Sequence, residues 1–473
     1  MGNAPSSPFQ TCLQSALPRT AISIPSDPFY DLSAVKAYNK AFHITPVAVV
    51  RPSTTEEVSK VVVCATENGV KVQARSGGHS YADFSIGGVD GSLVIDMVNF
   101  QQFSMDQATG QATIGSGTLL GDVTERLHNA GGRAMAHGTC PQVGIGGHAT
   151  IGGLGPVSRL WGSALDHIIE AEVVLANGTV VRASQNDHSE VLWAVKGAAA
   201  SFGVVTEFKV ITHPEPGEMV KYSYTISLGP HKSMSQTFAN WQRIISQPDL
   251  TRKLASQLIV FEWGMIIQGT YFGPQSEFEA LKFDEQLGQN ATSKSVTLDD
   301  WMGTVANWAE TEAIKLLGGI PAPFYSKSLA FRNDTLIPRD RIDQLFDMFD
   351  SGDKGTLLWF AIFDLEAGAV NDVGMGDTAY AHRDALYYIQ TYAVGIPSLA
   401  PKTKDYLNKI NTLLDPEDLL GAYAGYVDPD LAGSRTPQIR YWGPNYEKLQ
   451  RVKRDVDSKD TFWNPQSVKP ADA

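Results

Sequence analysis

Residues 75–81 read RSGGHSY, residues 137–141 read HGTCP, and residues 144–155 read GIGGHATIGGLG. Consecutive glycines let a backbone approach a ligand closely and aim several N–H groups at an anion. A dinucleotide pyrophosphate is a natural occupant; two tight turns at sheet ends are the plain structural alternative. Neither glycine segment is a Rossmann fingerprint, because no strand, G-x-G-x-x-G and helix unit is followed by an acid about 20 residues on. Upstream of the first loop, residues 47–52 (VAVVRP) read as a short buried strand. Thr54 and Glu57 then have capping-box spacing, and apolar residues follow at helical intervals up to Asn68-Gly69. VKVQAR (70–75) reads as a second strand that delivers the glycine loop. Further strands are expected at 93–97, 111–117, 169–184 and 202–212, with a short helix at 190–197. After THPEPGE (212–218) glycine thins out and aromatic, longer amphipathic segments take over, which puts a boundary near 215. Mixed strands and helices are expected from there to about 420.

A chain of 473 residues suggests two or three domains or one large two-lobed unit. Its 43% hydrophobic and 19% charged residues fit a soluble globular protein with a sizeable core. The net charge of −13 and the lack of a long Lys/Arg run argue against nucleic-acid binding. No stretch nears the ~18 apolar residues of a membrane span. The start, MGNAPSSPFQ, lacks the basic and apolar parts of a signal peptide, so it fits a cytosolic chain or one beginning after a removed signal. Gly2 and Ser6 fit a short myristoylation pattern, and Asn177, Asn290 and Asn333 open glycosylation triplets that are common by chance. The cysteines, Cys12, Cys64 and Cys140, are odd in number, so at least one stands outside any internal disulfide. Histidines 79, 137, 148 and 167 lack metal-ligand spacing, and no metal is expected.

The three quoted segments together resemble the FAD domain of the vanillyl-alcohol-oxidase, or p-cresol-methylhydroxylase (PCMH), superfamily. Within it they look most similar to the berberine-bridge-like branch with bicovalent flavin, and there to the fungal gluco- and chito-oligosaccharide oxidases. The resemblance runs from about residue 8 to the C-terminus and is looser between 220 and 350. It implies an α+β fold: a two-lobed FAD-binding domain of the PCMH type, plus a substrate domain whose large antiparallel sheet is covered by helices. The implied divisions are an FAD domain at 1–215, a substrate domain at 216–420 and a C-terminal segment at 421–473 that returns to the FAD domain. His79 matches the residue bonded to the flavin 8α-methyl, and Cys140 the one bonded to C6. Ser76, Gly77, Gly78 and Ser80 match the pyrophosphate loop; Ser116, Gly117, Gly144, Gly147, Gly152, Gly153 and Val204 match other FAD contacts. In the tail FWNPQSV (462–468), Asn464 and Gln466 are the candidates. Cys12 and Cys64 align with a disulfide pair of the secreted sugar oxidases, which implies an oxidising compartment and leaves Cys140 for flavin.

Oxidising an alcohol or hemiacetal needs a base for the O–H proton and an acceptor for the hydride. In the resemblance, AYAGYVD (422–428) places Tyr426 on the base and FAIFD (360–364) places Asp364 on its partner acid. Tyr423 is implied as a flavin or substrate contact, and Tyr81, Phe360 and Ile362 as substrate contacts. Taken as residues alone, Tyr423 and Tyr426 read more readily as core aromatics. Asp364 lies amid apolar neighbours, where a carboxylate is costly unless paired. Asp428 is the rival acid, but the DPD it opens reads as a turn. The expected reaction passes hydride from C1 of a reducing-end oligosaccharide to flavin, gives a lactone, and reduces O2 to H2O2. Ile362 stands where the sugar oxidases carry a polar side chain, and 257–261 looks apolar for a sugar groove. Both features favour the alternative of a fungal alkaloid or polyketide oxidase; a sugar dehydrogenase with another acceptor is a further alternative. The expected partners are a small-molecule substrate and O2, with a monomeric chain that is secreted if a signal was removed and cytoplasmic otherwise.

Overall fold

The computed structural model describes residues 7–227, 229–288, 291–310, 321–431 and 433–472; Gly2, Ser6 and Asn290 lie outside them. The expected helix runs from Thr55 to Glu67. The Thr54 hydroxyl accepts the Glu57 N–H at 3.2 Å, and the Glu57 carboxylate accepts the Ser53 N–H at 2.6 Å. This helix joins strands Ala48–Val50 and Val72–Arg75, which both pair in parallel with Leu93–Asp96. Parallel strands need both faces covered. Val58, Val61 and Val62 of the helix cover one face, packing on Val50, Val72, Leu93 and Ile95. The N-terminal helix Pro8–Ala16 adds Phe9 and Leu13 to that cluster and is tied to it by a Cys12–Cys64 disulfide, with Cα atoms 5.7 Å apart.

A second, antiparallel sheet orders its strands Phe103–Asp106, Gln111–Gly115, Val204–Ile211, Ile168–Val174 and Val180–Ser184. The expected segment 169–184 is thus a hairpin. Helices Leu120–Asn129 and Ser189–Ala198 bury Val123, Leu127, Val191 and Val195 against Ile114, Val173 and Phe208.

Between Pro214 and Met219 the chain changes sheets. Seven antiparallel strands follow, in the order Ser293–Asp299, Met219–Ile226, Gly264–Phe272, Gln257–Phe261, Trp359–Leu365, Tyr387–Val394 and Phe324–Phe331. Helices Ser235–Ile245, Arg339–Ser351 and Pro401–Leu414 cover one face. There Phe238, Trp241, Phe346 and Leu407 pack against Leu258, Ala361, Phe363 and Ile389. Side chains alternate along a strand, so Gln257, Ile259, Phe360, Ile362 and Asp364 point the other way, toward the first lobe.

The last segment returns to the first lobe, where the Val72 N–H donates to Thr461 O at 2.8 Å. Lys453, fully buried, donates to Asp457, Ser201 O and Phe462 O.

Replacing both Cys12 and Cys64 with serine is expected to lower unfolding free energy by roughly 2–4 kcal/mol, since the bond closes a long loop. Guanidinium titration of the variant against the parent protein measures this; coincident midpoints would mean the bond contributes nothing.

Candidate functional site

Strand Val72–Arg75 ends in a rigid anchor. The Arg75 guanidinium, buried, pairs with Asp96 at 2.7 Å and donates to the carbonyls of Ala34 and Val35. The loop that follows locks onto the second glycine segment. A Cβ on Gly77 would lie 2.3 Å from Gly144 N, and one on Gly144 would lie 2.1 Å from Gly77 N, so only glycine fits either place. The Ser76 hydroxyl donates to Ser116 O at 2.6 Å and brings a third turn into the same cradle. Gly78, Ser80 and Gly147 also face the cavity there, and Gly147 has open space where a side chain would be.

The cavity, of about 500 Å3, lies between the cradle and the seven-stranded sheet. His79 and Cys140 both line it. Tyr38 stacks on His79, with ring centroids 4.5 Å apart, and burial brings the His79 imidazole down to about 4, so it is neutral. Burial pushes the Cys140 thiol up, partly offset by the Gln142 and Val143 backbone. Its turn is held from behind: the Gly138 N–H donates to His148 Nε2 at 2.8 Å, and His137 bonds the Thr124 hydroxyl at 2.8 Å. Asn464 and Gln466 line the cavity too, but their side chains also serve the fold. Gln466 donates to Asp428 O at 2.7 Å, and Asn464 accepts the Gln466 N–H at 3.0 Å.

On the sheet side, Tyr426 donates to Asp364 at 3.2 Å. Gln257, paired opposite Asp364, donates to its other oxygen at 2.6 Å, and Gln268 donates to Gln257 at 3.0 Å. Burial raises the Asp364 carboxyl above its ordinary value, opposed by the Gln257 and Tyr426 bonds. Burial also lifts the Tyr426 phenol well above 10, as do the carboxylate of Asp364 and neighbouring tyrosines. Tyr81 stacks on Tyr426 at 6.1 Å and accepts from Gln390 at 2.9 Å. The aromatic contacts from His79 through Tyr38 and Tyr81 to Tyr426 form one continuous wall.

Several of the expected residues stand off the cavity wall. Gly117, Gly152, Gly153, Val204 and Phe360 do not line the cavity. Gly117 is needed because a Cβ would meet Met97 O at 1.8 Å. Gly152 makes room for the Tyr423 ring and Gly153 for Ala164, and the Tyr423 hydroxyl accepts the Gly153 N–H at 3.0 Å; Tyr423 itself lines the cavity. Val204 points into the core of the first lobe, and its neighbour Val205 takes the cavity wall. Phe360 packs behind Ile362 with Ile259, Phe324 and Tyr392. The strand Gln257–Phe261 is not apolar where it matters, because alternation turns Gln257 inward. Asp428 is no rival acid: it is paired with the buried Lys327 of strand Phe324–Phe331. Gln257, Gln268, Gln390, Tyr38 and His148 were missed. Only cross-strand register could have found the three glutamines, and it is invisible in one sequence.

A dinucleotide fits this arrangement. The cradle is lined with backbone from three turns, and the buried Ser116 hydroxyl oxygen beside it has no partner among the described residues. Residues 46–184 match the FAD binding domain family, and residues 422–469 match the berberine and berberine-like family. The FAD-linked oxidoreductase sorD of Penicillium rubens is 36% identical, over 98% of this chain and 99% of its own. A chitooligosaccharide oxidase of Gibberella zeae is 33% identical, over 92% of this chain and 89% of its own. A solved structure of glucooligosaccharide oxidase from Acremonium strictum, described as carrying 6-S-cysteinyl, 8α-N1-histidyl FAD, superposes with TM-score 0.87 at 27% identity, covering 99% of this chain and 100% of that one.

The histidines behind the cradle predict an acid sensitivity. Burial holds His148 down to about 3 and His167 down to about 4, against 6.5 for the free side chain. Below pH 6.5 the unfolded chain takes up protons that the native fold refuses. The stability these two histidines contribute therefore falls as pH drops from 6.5 toward about 4, by up to about 1.4 kcal/mol per unit for each histidine. Guanidinium midpoints across that window test this, and a flat profile would refute it.

Proposed function

We propose that this chain, which belongs to the berberine-like branch of FAD-linked oxidoreductases that includes the fungal oligosaccharide oxidases, oxidises C1 of a reducing-end oligosaccharide to a lactone, with O2 as final acceptor. The observation that carries this reading is the Tyr426–Asp364 hydrogen bond in a cavity wall shared with His79 and Cys140. When bound, FAD supplies the two-electron acceptor and is regenerated by O2, with H2O2 as product. Cys140, which stands outside the disulfide, and the neutral His79 line one wall and support attachment through both side chains, as described for the glucooligosaccharide oxidase.

Tyrosine has one hydroxyl proton, and Tyr426 commits it to Asp364. Its lone pairs are left as acceptors for a substrate hydroxyl. As the substrate gives up its hydride, its O–H proton passes to Tyr426 Oη while the phenol proton passes to Asp364. Because the phenol is hard to ionise in this site, the carboxylate must take that proton in the same step. Gln257 holds Asp364 in place for it. The Cys12–Cys64 bond supports residence in an oxidising compartment and hence secretion.

One feature favours a second reading. Ile362, packed with Ile259, Phe360, Phe324 and Tyr392 of the same cluster, makes the cavity wall beside Tyr81 apolar, which suits an aromatic or polyketide-like substrate with a single oxidisable hydroxyl.

Tyr426→Phe is expected to slow flavin reduction by about 10²–10⁴-fold, as loss of a positioned base does; unchanged bleaching of the flavin band in stopped flow would refute the assignment. The acid limb of kcat/KM should lie above the ordinary aspartate range, because Asp364 must be ionised and its carboxyl is raised. Asp364→Asn should abolish that limb along with most activity. For the substrate, anaerobic addition of cello-, chito-, xylo- and malto-oligosaccharides should bleach the flavin band. A band that survives every sugar would turn the reading toward the apolar class.

A further inference from the structure

Strand Trp359–Leu365 and the residue after it turn Phe360, Ile362, Asp364 and Glu366 toward the first lobe, at steps of roughly 6–7 Å. Their neighbours order them along the face that meets the first lobe. Phe360 and Ile362 pack in the cluster with Tyr81 and Tyr38, and Tyr38 stacks on His79. Asp364 meets Tyr426. Glu366 comes one step further from His79 and lines the same cavity.

Under the attachment proposed above, both bonds grip one end of the flavin, since the 8α-methyl and C6 belong to its benzenoid ring. N5 then lies at the middle of the tricycle and the pyrimidine ring at the far end. The sequence His79, Tyr426 with Asp364, then Glu366 follows that same order.

Glu366 is 5% exposed, and its Oε2 has no hydrogen-bond partner among the described residues. Arg159 is close, but its guanidinium donates to the carbonyls of Leu254, Thr251 and Glu366 itself. No ion pair reaches the Glu366 carboxyl among the described residues. Burial, aided by the adjacent Asp364, pushes this carboxyl well above its usual range against the pull of Arg159. It is therefore a protonated acid that presents an O–H donor with nothing among the described residues to receive it. A buried polar group of this kind calls for a partner, and the cavity is the place left for one.

We propose that Glu366 donates its carboxyl O–H to an acceptor on the pyrimidine ring of the bound flavin and thereby raises the flavin's reduction potential. Two-electron reduction builds negative charge on the N–C=O units of that ring. A fixed donor there favours the reduced form and costs no reorganisation when the charge arrives. The inference rests on the His79 and Cys140 attachment, which sets which end of the ring Glu366 meets.

The test uses the holoprotein and the variants Glu366→Gln and Glu366→Leu. Three quantities are measured: flavin retained after acid precipitation, midpoint potential against reference dyes, and affinity for sulfite, which adds to oxidised flavin more tightly as the potential rises. Glu366→Leu is expected to lower the potential and weaken sulfite binding about tenfold, the scale of one lost hydrogen bond. Glu366→Gln keeps an N–H donor of similar reach and should stay within about threefold of the parent. If the leucine variant loads no flavin, Glu366→Met takes its place. A leucine or methionine variant with covalent flavin and parental potential overturns the role of Glu366 alone. So does a glutamine variant that falls as far as leucine. Flavin extracted by acid from the parent protein overturns the attachment, and this inference with it.

Discussion

Strands Trp359–Leu365, Tyr387–Val394 and Phe324–Phe331 of the seven-stranded sheet are buried on both faces, and that constraint governs the rest of the cavity. Strand Trp359–Leu365 sends Ala361 and Phe363 into the helix-covered core with Phe238 and Trp241. It sends Ile362 and Asp364 to the other face. Because the side-chain period is two, a slip of one residue would exchange the two sets. Asp364 would then lie among phenylalanines, and the cavity would lose its acid. The register is fixed from both sides, by Gln257–Phe261 and by Tyr387–Val394.

A carboxylate in such a wall survives only if its oxygens are satisfied. Asp364 meets that condition with one bond to each oxygen, from Gln257 and Tyr426. The same rule explains two other buried charges. Lys327 is matched by Asp428, and Lys453 by Asp457 and two carbonyls. Breaking such pairs is costly, by about 3–5 kcal/mol, which makes them fixed points rather than sources of net stability. Glu366 departs from the rule, and that departure is what marks it.

Much of the first lobe was legible in the sequence. Capping at Thr54, the break at Asn68-Gly69, and short β-rich runs between turns are local signals, and each became the expected element. The glycine loops declared a close backbone approach, although what Gly77 approaches is Gly144 as well as the cavity. The site was less legible because it is assembled across strands. Gln257 sits in a run that looks apolar, yet one alternation places it on Asp364. Gly152, Gly153 and Val204 matched ligand-contacting stretches, but their side-chain space is used by Tyr423, Ala164 and the core. Asp428 looked like a turn residue or an acid; its partner Lys327 lies 101 residues away and is joined to it only by folding.

That last pair also explains how Tyr426 is held. Strand Phe324–Phe331 is the edge of the large sheet, and an open edge invites unwanted pairing. Segment 421–428 closes it. Gly421 O accepts the Ala330 N–H at 2.9 Å, and the Tyr423 N–H donates to the Ser328 hydroxyl at 3.1 Å on the cavity face. Asp428 then reaches Lys327, which lies beside Tyr325 on the helix-covered face. Adjacent residues on a strand point to opposite faces, so the segment grips the edge from both sides. Tyr426 lies between the two grips, its N–H bonded to Tyr423 O at 3.0 Å. The element that protects the sheet edge is thus the one that carries the proposed base to Asp364, which couples the folding of the edge to the assembly of the site.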